Sequence, residues 1–144
     1  MNDRFKFRVW DKENKCLRYP TRYSNFAIVN GTVVKIESYP TANSAYLGKR
    51  IAWEFDDAVL MQCTGLKDKN SKLIYEGDIL GGIYHGYIEY CKDCKCFQLF
   101  VKDYGCLACE DDLHWYELVE AEELNELEVI GNIYENKELL ESEG

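Results

Sequence analysis

The sequence has only two prolines and two histidines, and it lacks a long apolar run. No stretch approaches the roughly 20 apolar residues that a membrane helix needs. The N-terminus alternates charged and aromatic residues, whereas a signal peptide presents a continuous apolar segment there. We therefore expect a cytoplasmic protein without a membrane partner. Its seven cysteines are then thiols or metal ligands and not a disulfide framework.

The sequence also lacks a recognisable catalytic set. His85 and His114 lie on separate predicted elements, and a nucleophile–base pair would need a Ser or Cys within hydrogen-bond reach of one of them. The glycine-rich stretch 77–86 has no Lys-Ser/Thr step and no following helix to hold a phosphate. We therefore predict no catalytic residues and expect a protein that is not an enzyme.

The residue types that are abundant in the sequence favour β-strands. Eleven tyrosines and three tryptophans accompany the two prolines in a chain of 144 residues, and aromatic residues suit half-buried pleated surfaces. The predicted fold class is mostly β, antiparallel and rich in hairpins, with α+β only at the margin. We expect a single domain over 1–144; if it is divided, the subdomains would be 1–57 and 58–144. Residues 114–119 are predicted as a strand, and a short C-terminal helix is predicted over 137–141.

Charge is unevenly spread along the chain. The net charge is −9, with +4 in residues 1–22 and −12 in residues 110–144. An acidic body argues against a broad nucleic-acid surface, because phosphate binding depends mainly on Lys and Arg. A small basic patch near the N-terminus remains compatible with this distribution.

The first predicted strand carries that basic patch. Its apolar face would consist of Phe5, Phe7 and Val9. Its opposite face holds the candidate nucleic-acid-binding residues, Arg4, Lys6, Arg8 and Trp10, which would supply charge and a stacking ring if that face is exposed. An edge strand protected from aggregation by cations has the same pattern, and this second interpretation is the one we favour.

Turn residues define the strongest hairpin signals. Asn30-Gly31 separates two β-branched runs, and both residues tolerate positive φ. Within the stretch 61–80, an apolar strand is followed by a polar turn whose Asp68 and Asn70 side chains can bond to nearby backbone amides. Asp78 is predicted to accept a backbone amide in the same way, so the polar residues of this stretch build turns.

Three segments together resemble the YopX family of small phage and prophage proteins. They are Lys-Phe-Arg-Val-Trp-Asp-Lys-Glu-Asn at 6–14, the stretch 60–79 around Thr-Gly-Leu-Lys-Asp-Lys-Asn-Ser-Lys-Leu-Ile-Tyr-Glu-Gly-Asp, and Glu-Val-Ile-Gly-Asn-Ile-Tyr-Glu-Asn at 128–136. The departures are small: Ser71 stands where a turn glycine is usual, and Lys137 stands where proline often follows.

The resemblance implies a mostly-β protein encoded by a phage or prophage and made in the cytoplasm of a bacterial host. It implies no catalytic residues and carries no cysteine pattern. The Tyr-Glu-Gly-Asp-Ile segment at 75–79 is also similar to the entry into the first strand of SH3-like barrels. We therefore expect the C-terminal half to form a small barrel of that kind.

Two cysteine pairs form the best-defined candidate site in the sequence. Cys91-x2-Cys94 and Cys106-x2-Cys109, with Cys96 as a spare, have the composition of a closed tetrahedral zinc site. However, residues 95–101 resemble one strand, which at roughly 3.3 Å per residue would carry the chain over 20 Å away before the second pair. This separation favours independent thiols and no cofactor, with zinc as the alternative.

Three hypotheses about function follow. The first is a non-enzymatic accessory protein that binds a host or phage protein, with self-association left open. The second is a nucleic-acid-binding module that uses the basic N-terminal strand. The third, which we favour least, is a structural zinc protein.

Overall fold

In the computed structural model of the chain, the described residues are 3–21, 26–30, 32–40, 42, 47–54, 58–120 and 127–141. They form mostly antiparallel strands with a few short helices, as the sequence predicts. The chain divides into two compact units. We call Phe7–Leu60 the N-terminal unit, and Met61–Gly144 together with Met1–Lys6 the C-terminal unit.

The N-terminal unit consists of antiparallel strands. They are β1 (Phe7–Asp11), β2 (Cys16–Arg18), β3 (Phe26–Val29), β4 (Thr32–Pro40) and β5 (Leu47–Glu54). Strands β1 and β2 pair as a hairpin, and β3, β4 and β5 pair in that order. Asn30 has a φ of 51° between β3 and β4, which confirms the predicted hairpin. Val9, Phe26 and Val33 form the buried core of this unit.

Strand β6 (Ala58–Lys67) leads from the N-terminal unit into the C-terminal one, where it pairs with β7 (Leu73–Tyr75). The remaining strands are β8 (Asp78–Gly81), β9 (Gly86–Cys91), β10 (Cys96–Val101), β11 (Gly105–Cys106) and β12 (Glu128–Asn132). The helices are α1 (Leu107–Asp111), α2 (Trp115–Glu120) and α3 (Glu138–Glu141).

Five strands of the C-terminal unit form one antiparallel sheet in the order β11-β10-β9-β8-β12. Among the described residues this sheet is a half-barrel with β11 and β12 at its edges, which agrees with the β-rich C-terminal half that the sequence predicts. Its core joins sheet residues to α2. Trp115 is 1% exposed, and its indole Nε1 donates to the carbonyl oxygen of Phe97 at 2.9 Å.

Helix α2 occupies residues 115–120, whereas the sequence pattern predicts a strand over 114–119, and that prediction is wrong. Trp115 and Val119 lie one helical turn apart and are both buried in the core. Residues spaced by four share one face of a helix, so the segment can bury its large side chains in either conformation. Packing against the sheet decides between them. The predicted helix at 137–141 is confirmed, starting at Glu138.

The polar residues of the stretch 61–80 build turns, as predicted. Asp68 Oδ1 accepts the backbone amides of Asn70 and Lys72, each at 2.9 Å, and its Oδ2 accepts the amide of Val129 at 2.9 Å. Asp78 Oδ2 accepts the amide of Tyr75 at 2.8 Å. Asp68 therefore ties the turn before β7 to strand β12, far away in sequence.

Candidate metal centre

The first cysteine pair lies in the turn between β9 and β10. Cys91 ends β9, and Cys96, the first residue of β10, pairs opposite it. The turn is closed by a 2.9 Å hydrogen bond from the Lys95 amide to the Cys91 carbonyl, with Lys95 at a φ of 61°. Cys94 lies inside this turn, so it is held close to Cys91.

The second pair is brought back to the first by a reversal of the chain. Gly105, at a φ of 101°, begins β11, which runs antiparallel to β10 with Cys106 opposite Phe100. Helix α1 begins at the next residue, and Cys109 lies on it. Residues 96–101 do form one strand, as predicted. The inference that this strand keeps the two pairs far apart is wrong, because β11 and α1 return the chain along β10.

All four thiols converge. The Sγ atoms of Cys91, Cys94, Cys106 and Cys109 all lie within 4.8 Å of one another. The Sγ atoms of Cys94 and Cys109 are 3.4 Å apart, those of Cys91 and Cys109 are 3.5 Å apart, and those of Cys94 and Cys106 are 3.9 Å apart. A tetrahedral zinc with Zn–S bonds of about 2.3 Å requires sulfurs about 3.8 Å apart. The cluster could therefore hold a metal ion.

The thiols perturb one another's ionisation. The backbone amide of Cys94 is the main cause that lowers the pKa of Cys91 to about 7, in spite of its burial. The Cys109 thiol favours ionised Cys94, but burial and the thiols of Cys91 and Cys106 outweigh it and raise the pKa of Cys94 to about 11. The thiols of Cys94, Cys91 and Cys106 raise the pKa of Cys109 strongly. Four thiolates thus need a compensating cation in order to coexist.

The other cysteines lie outside this cluster. All seven are free thiols, and among the described residues the four-cysteine group is the one set of His, Cys, Asp or Glu side chains that could hold a metal. Cys96 accepts a hydrogen bond from Gln98 Nε2 at 3.1 Å. Cys63 is 1% exposed, and burial raises the pKa of its thiol.

The candidate nucleic-acid-binding residues do not form an exposed basic face. Arg8 is 2% and Trp10 is 7% exposed, because both faces of β1 are buried. Lys6 Nζ is exposed and lies 2.8 Å from Asp3 Oδ1. The backbone of Arg4 belongs to a short 3-10 helix, Asp3–Phe5, and not to the predicted strand. The expectation that Arg8 and Trp10 would be exposed is therefore wrong.

An aromatic pocket of about 450 Å³ adjoins the cysteine cluster and was not predicted from the sequence. Its walls come from β6, from the β9–β10 hairpin and from α2. The lining residues are Gln62, Thr64, Leu66, Tyr90, Lys95, Cys96, Phe97, Trp115, Tyr116 and Glu120. Local patterns could not have revealed it, because three separate segments contribute; the density of aromatic residues between 84 and 116 was the available signal.

Comparison with known proteins identifies the family. The family model described as YopX protein matches residues 6–141. The chain belongs to the YopX family. This confirms the resemblance that the three sequence segments indicated.

Solved structures support the family's fold. A crystal structure of protein EF1440 from Enterococcus faecalis matches with 26% identity and a TM-score of 0.53, covering 94% of this chain and 96% of that one. The X-ray structure of yopX from Bacillus subtilis matches with 22% identity and a TM-score of 0.51, covering 96% and 98%. No curated protein matches the chain.

Two further findings bear on this YopX-family protein. No helix among its described residues is long and apolar enough to cross a membrane. Neither histidine joins the cysteine cluster; the ring of His114 stacks on that of Tyr116, with 5.1 Å between centroids.

Proposed function

We propose that this YopX-family protein is a non-enzymatic accessory protein of phage or prophage origin whose C-terminal unit holds a structural zinc ion. The observation that carries the proposal is the convergence of the four thiols of Cys91, Cys94, Cys106 and Cys109 within 4.8 Å. An all-sulfur set of four ligands suits zinc, since soft thiolates select it over harder cations such as magnesium or calcium.

The proposed role of the metal is structural because four protein ligands would fill a tetrahedral site. A catalytic zinc keeps one position open for water or substrate. The ion would join the β9–β10 turn to the β11–α1 segment, which follows it in the chain after strand β10. Cys91 and Cys106 are buried and Cys109 is exposed, so the site would lie at the edge of the core.

Metal analysis tests this proposal. Protein purified without chelators should contain about one equivalent of zinc, and Cys109→Ser should lose most of it, because the ligand set is then incomplete. Cys16→Ser is the matched control, since Cys16 is a free thiol outside the cluster. A zinc content below about half an equivalent in the unmodified protein would contradict the proposal.

The accessory role itself is proposed as binding to a host or phage protein in the bacterial cytoplasm. The absence of a predicted catalytic set and the acidic composition of residues 110–144, at −12, support it. Nucleic-acid binding through β1 is not proposed here, because Arg8 and Trp10 are buried and Lys6 is paired with Asp3.

A further inference from the structure

The aromatic pocket has the form of a binding site. Its volume of about 450 Å³ falls within the range of roughly 300–1,000 Å³ that is typical of ligand pockets. Three rings line it beside the buried Trp115, namely those of Tyr90, Phe97 and Tyr116. Tyr90 is 46% exposed although it belongs to a paired strand, so an aromatic face remains open to a partner.

The rings are held in place before any ligand arrives. Tyr90 and Phe97 lie opposite each other in the β9–β10 pair, with an edge-to-face contact of 5.8 Å between centroids. The Trp115 indole bonds to the Phe97 carbonyl, and His114 stacks on Tyr116. Rings fixed in this way lose little conformational freedom when a ligand binds, which favours affinity.

The lining of the pocket offers one acidic side chain to a cation. Helix α2 contributes the carboxylate of Glu120, and Gln62 and Thr64 add neutral polar side chains. The segment 107–120, which includes α1 and α2, contains five acidic residues and no Lys or Arg, and Glu120 is the one of the five that lines the pocket. Lys95 is the one cation of the lining, and its side chain is exposed in the β9–β10 turn.

These features match one side chain better than others. A guanidinium group is planar, so it stacks on aromatic faces, and its fork of N–H donors pairs with a carboxylate through two parallel hydrogen bonds. An ammonium group can be attracted by the rings but cannot reproduce the planar stack or the paired bonds. Glu120 and the rings of Tyr90, Phe97 and Tyr116 supply both kinds of contact.

We propose that this pocket binds an arginine side chain presented by a basic segment of a protein partner. The inference rests on the proposed accessory role as a protein-binding protein and names the chemistry of the partner. It does not need the zinc ion for its contacts, although the turn that carries Lys95 and Cys96 also carries two of the cysteine ligands.

The test uses the full chain and three short peptides that differ only in a central Arg, Lys or Gln. Titrations followed by NMR should shift the Trp115 indole N–H and the Tyr90 ring signals with the Arg peptide. We expect the Lys peptide to bind at least about fivefold more weakly and the Gln peptide to cause no saturable shift. Raising the salt concentration should weaken the Arg interaction.

Variants separate the pocket from general surface effects. Glu120→Gln and Tyr90→Leu should each weaken Arg-peptide binding about fivefold or more, whereas Lys95→Gln should strengthen it two- to threefold. Tyr104→Leu is the matched control, since Tyr104 is 45% exposed in the same unit and does not line this pocket. It should bind as the unmodified protein does.

Equal NMR shifts with the Arg and Gln peptides would overturn the inference, and so would shifts that do not include Trp115 and Tyr90. These shifts are measured on the unmodified protein, so the test holds even if a variant fails to fold. Equal binding of the Lys peptide would overturn the assignment to arginine. Zinc content is measured on the same samples. If the protein contains zinc but does not bind the Arg peptide, this inference alone is wrong. If the protein binds the Arg peptide but contains no zinc, only the metal proposal is wrong.

Discussion

At the scale of single residues, three buried aspartates hold turns of this protein in place. Asp11, Asp68 and Asp78 are at most 4% exposed, and each accepts backbone amides. A carboxylate is suited to this position because it accepts several hydrogen bonds, each of which is strengthened by its charge. All three aspartates lie in the segments that resemble the family, so these recognisable residues have structural roles.

Asp11 should make stability depend on acid pH. Burial disfavours its charge, but hydrogen bonds from the side chain and backbone of Asn14 and from Arg18 outweigh burial and lower its pKa from 3.8 to about 2. A lowered pKa means that the contribution is complete above about pH 4 and is lost as pH falls through 2. Its size is about 2 kcal/mol.

Asp11→Asn provides the measurement. The free energy of unfolding in urea should be about 2 kcal/mol lower than that of the unmodified protein at pH 7. The difference should shrink as the pH falls through 2, because Asp11 then becomes protonated and neutral, as asparagine is. A difference that stays constant across this range would show that the charge of Asp11 contributes nothing.

Asp68→Asn should destabilise the C-terminal unit by about 2 kcal/mol. An amide can still accept on one side, but its NH2 group would face one of the backbone donors of Asn70, Lys72 or Val129. Asp103→Asn is the matched control, because Asp103 is an exposed turn residue at a φ of 62°, which Asn tolerates. Urea unfolding of both variants at pH 7 is the comparison, and equal losses would count against the role of Asp68.

At the scale of elements, strands β9 and β10 approach each other so closely at Gly86 that a larger residue is excluded there. A Cβ atom on Gly86 would lie well inside contact distance of the Phe100 carbonyl oxygen, so only glycine fits. Because this is a backbone atom of a paired strand, the sheet would have to shift to admit a methyl group.

Gly86→Ala should therefore cost about 2–3 kcal/mol in the free energy of unfolding. Gly105→Ala is the comparison, since a Cβ there would meet nothing within 4 Å and only its φ of 101° opposes the change. We expect about 1 kcal/mol for that variant. The prediction fails if chemical denaturation finds Gly105→Ala to be the more damaging of the two.

The short length of α2 explains why it was predicted as a strand. A six-residue segment such as 115–120 holds too few positions for periodicity to distinguish helix from strand. By contrast, Asn30 and Asp68 mark their turns from neighbouring residues, because the positive φ of Asn30 and the amide bonds that Asp68 Oδ1 accepts are local. Hairpins with such residues were predictable, and the short helices packed on the sheet were not, apart from α3.

For the whole molecule, zinc binding is expected to contribute directly to stability. An ion that binds only the folded state stabilises it according to its free concentration relative to Kd, by about 4 kcal/mol at a thousandfold excess. Adding a strong chelator should lower the unfolding temperature of the unmodified protein and of Cys16→Ser. It should change that of Cys109→Ser far less, because that variant lacks one ligand. Thermal unfolding followed by circular dichroism, with chelator and after zinc is restored, makes the comparison.

The sequence by itself determined the strand-rich class, the hairpin at Asn30, the turn at Asp68 and the family, since each depends on neighbouring residues or on motifs in order along the chain. It also supplied the four cysteines at zinc-like spacing. Their convergence was decided only by the tertiary structure, because β11 and α1 reverse the chain beside β10.

Burial was likewise decided by the tertiary structure. Alternation along β1 separates two faces but does not say whether the second face is covered, and here Arg8 and Trp10 are both buried. The aromatic pocket needs β6, the β9–β10 hairpin and α2 together. Contacts between distant segments depend on how the elements pack, and the pattern within any one element does not contain that information.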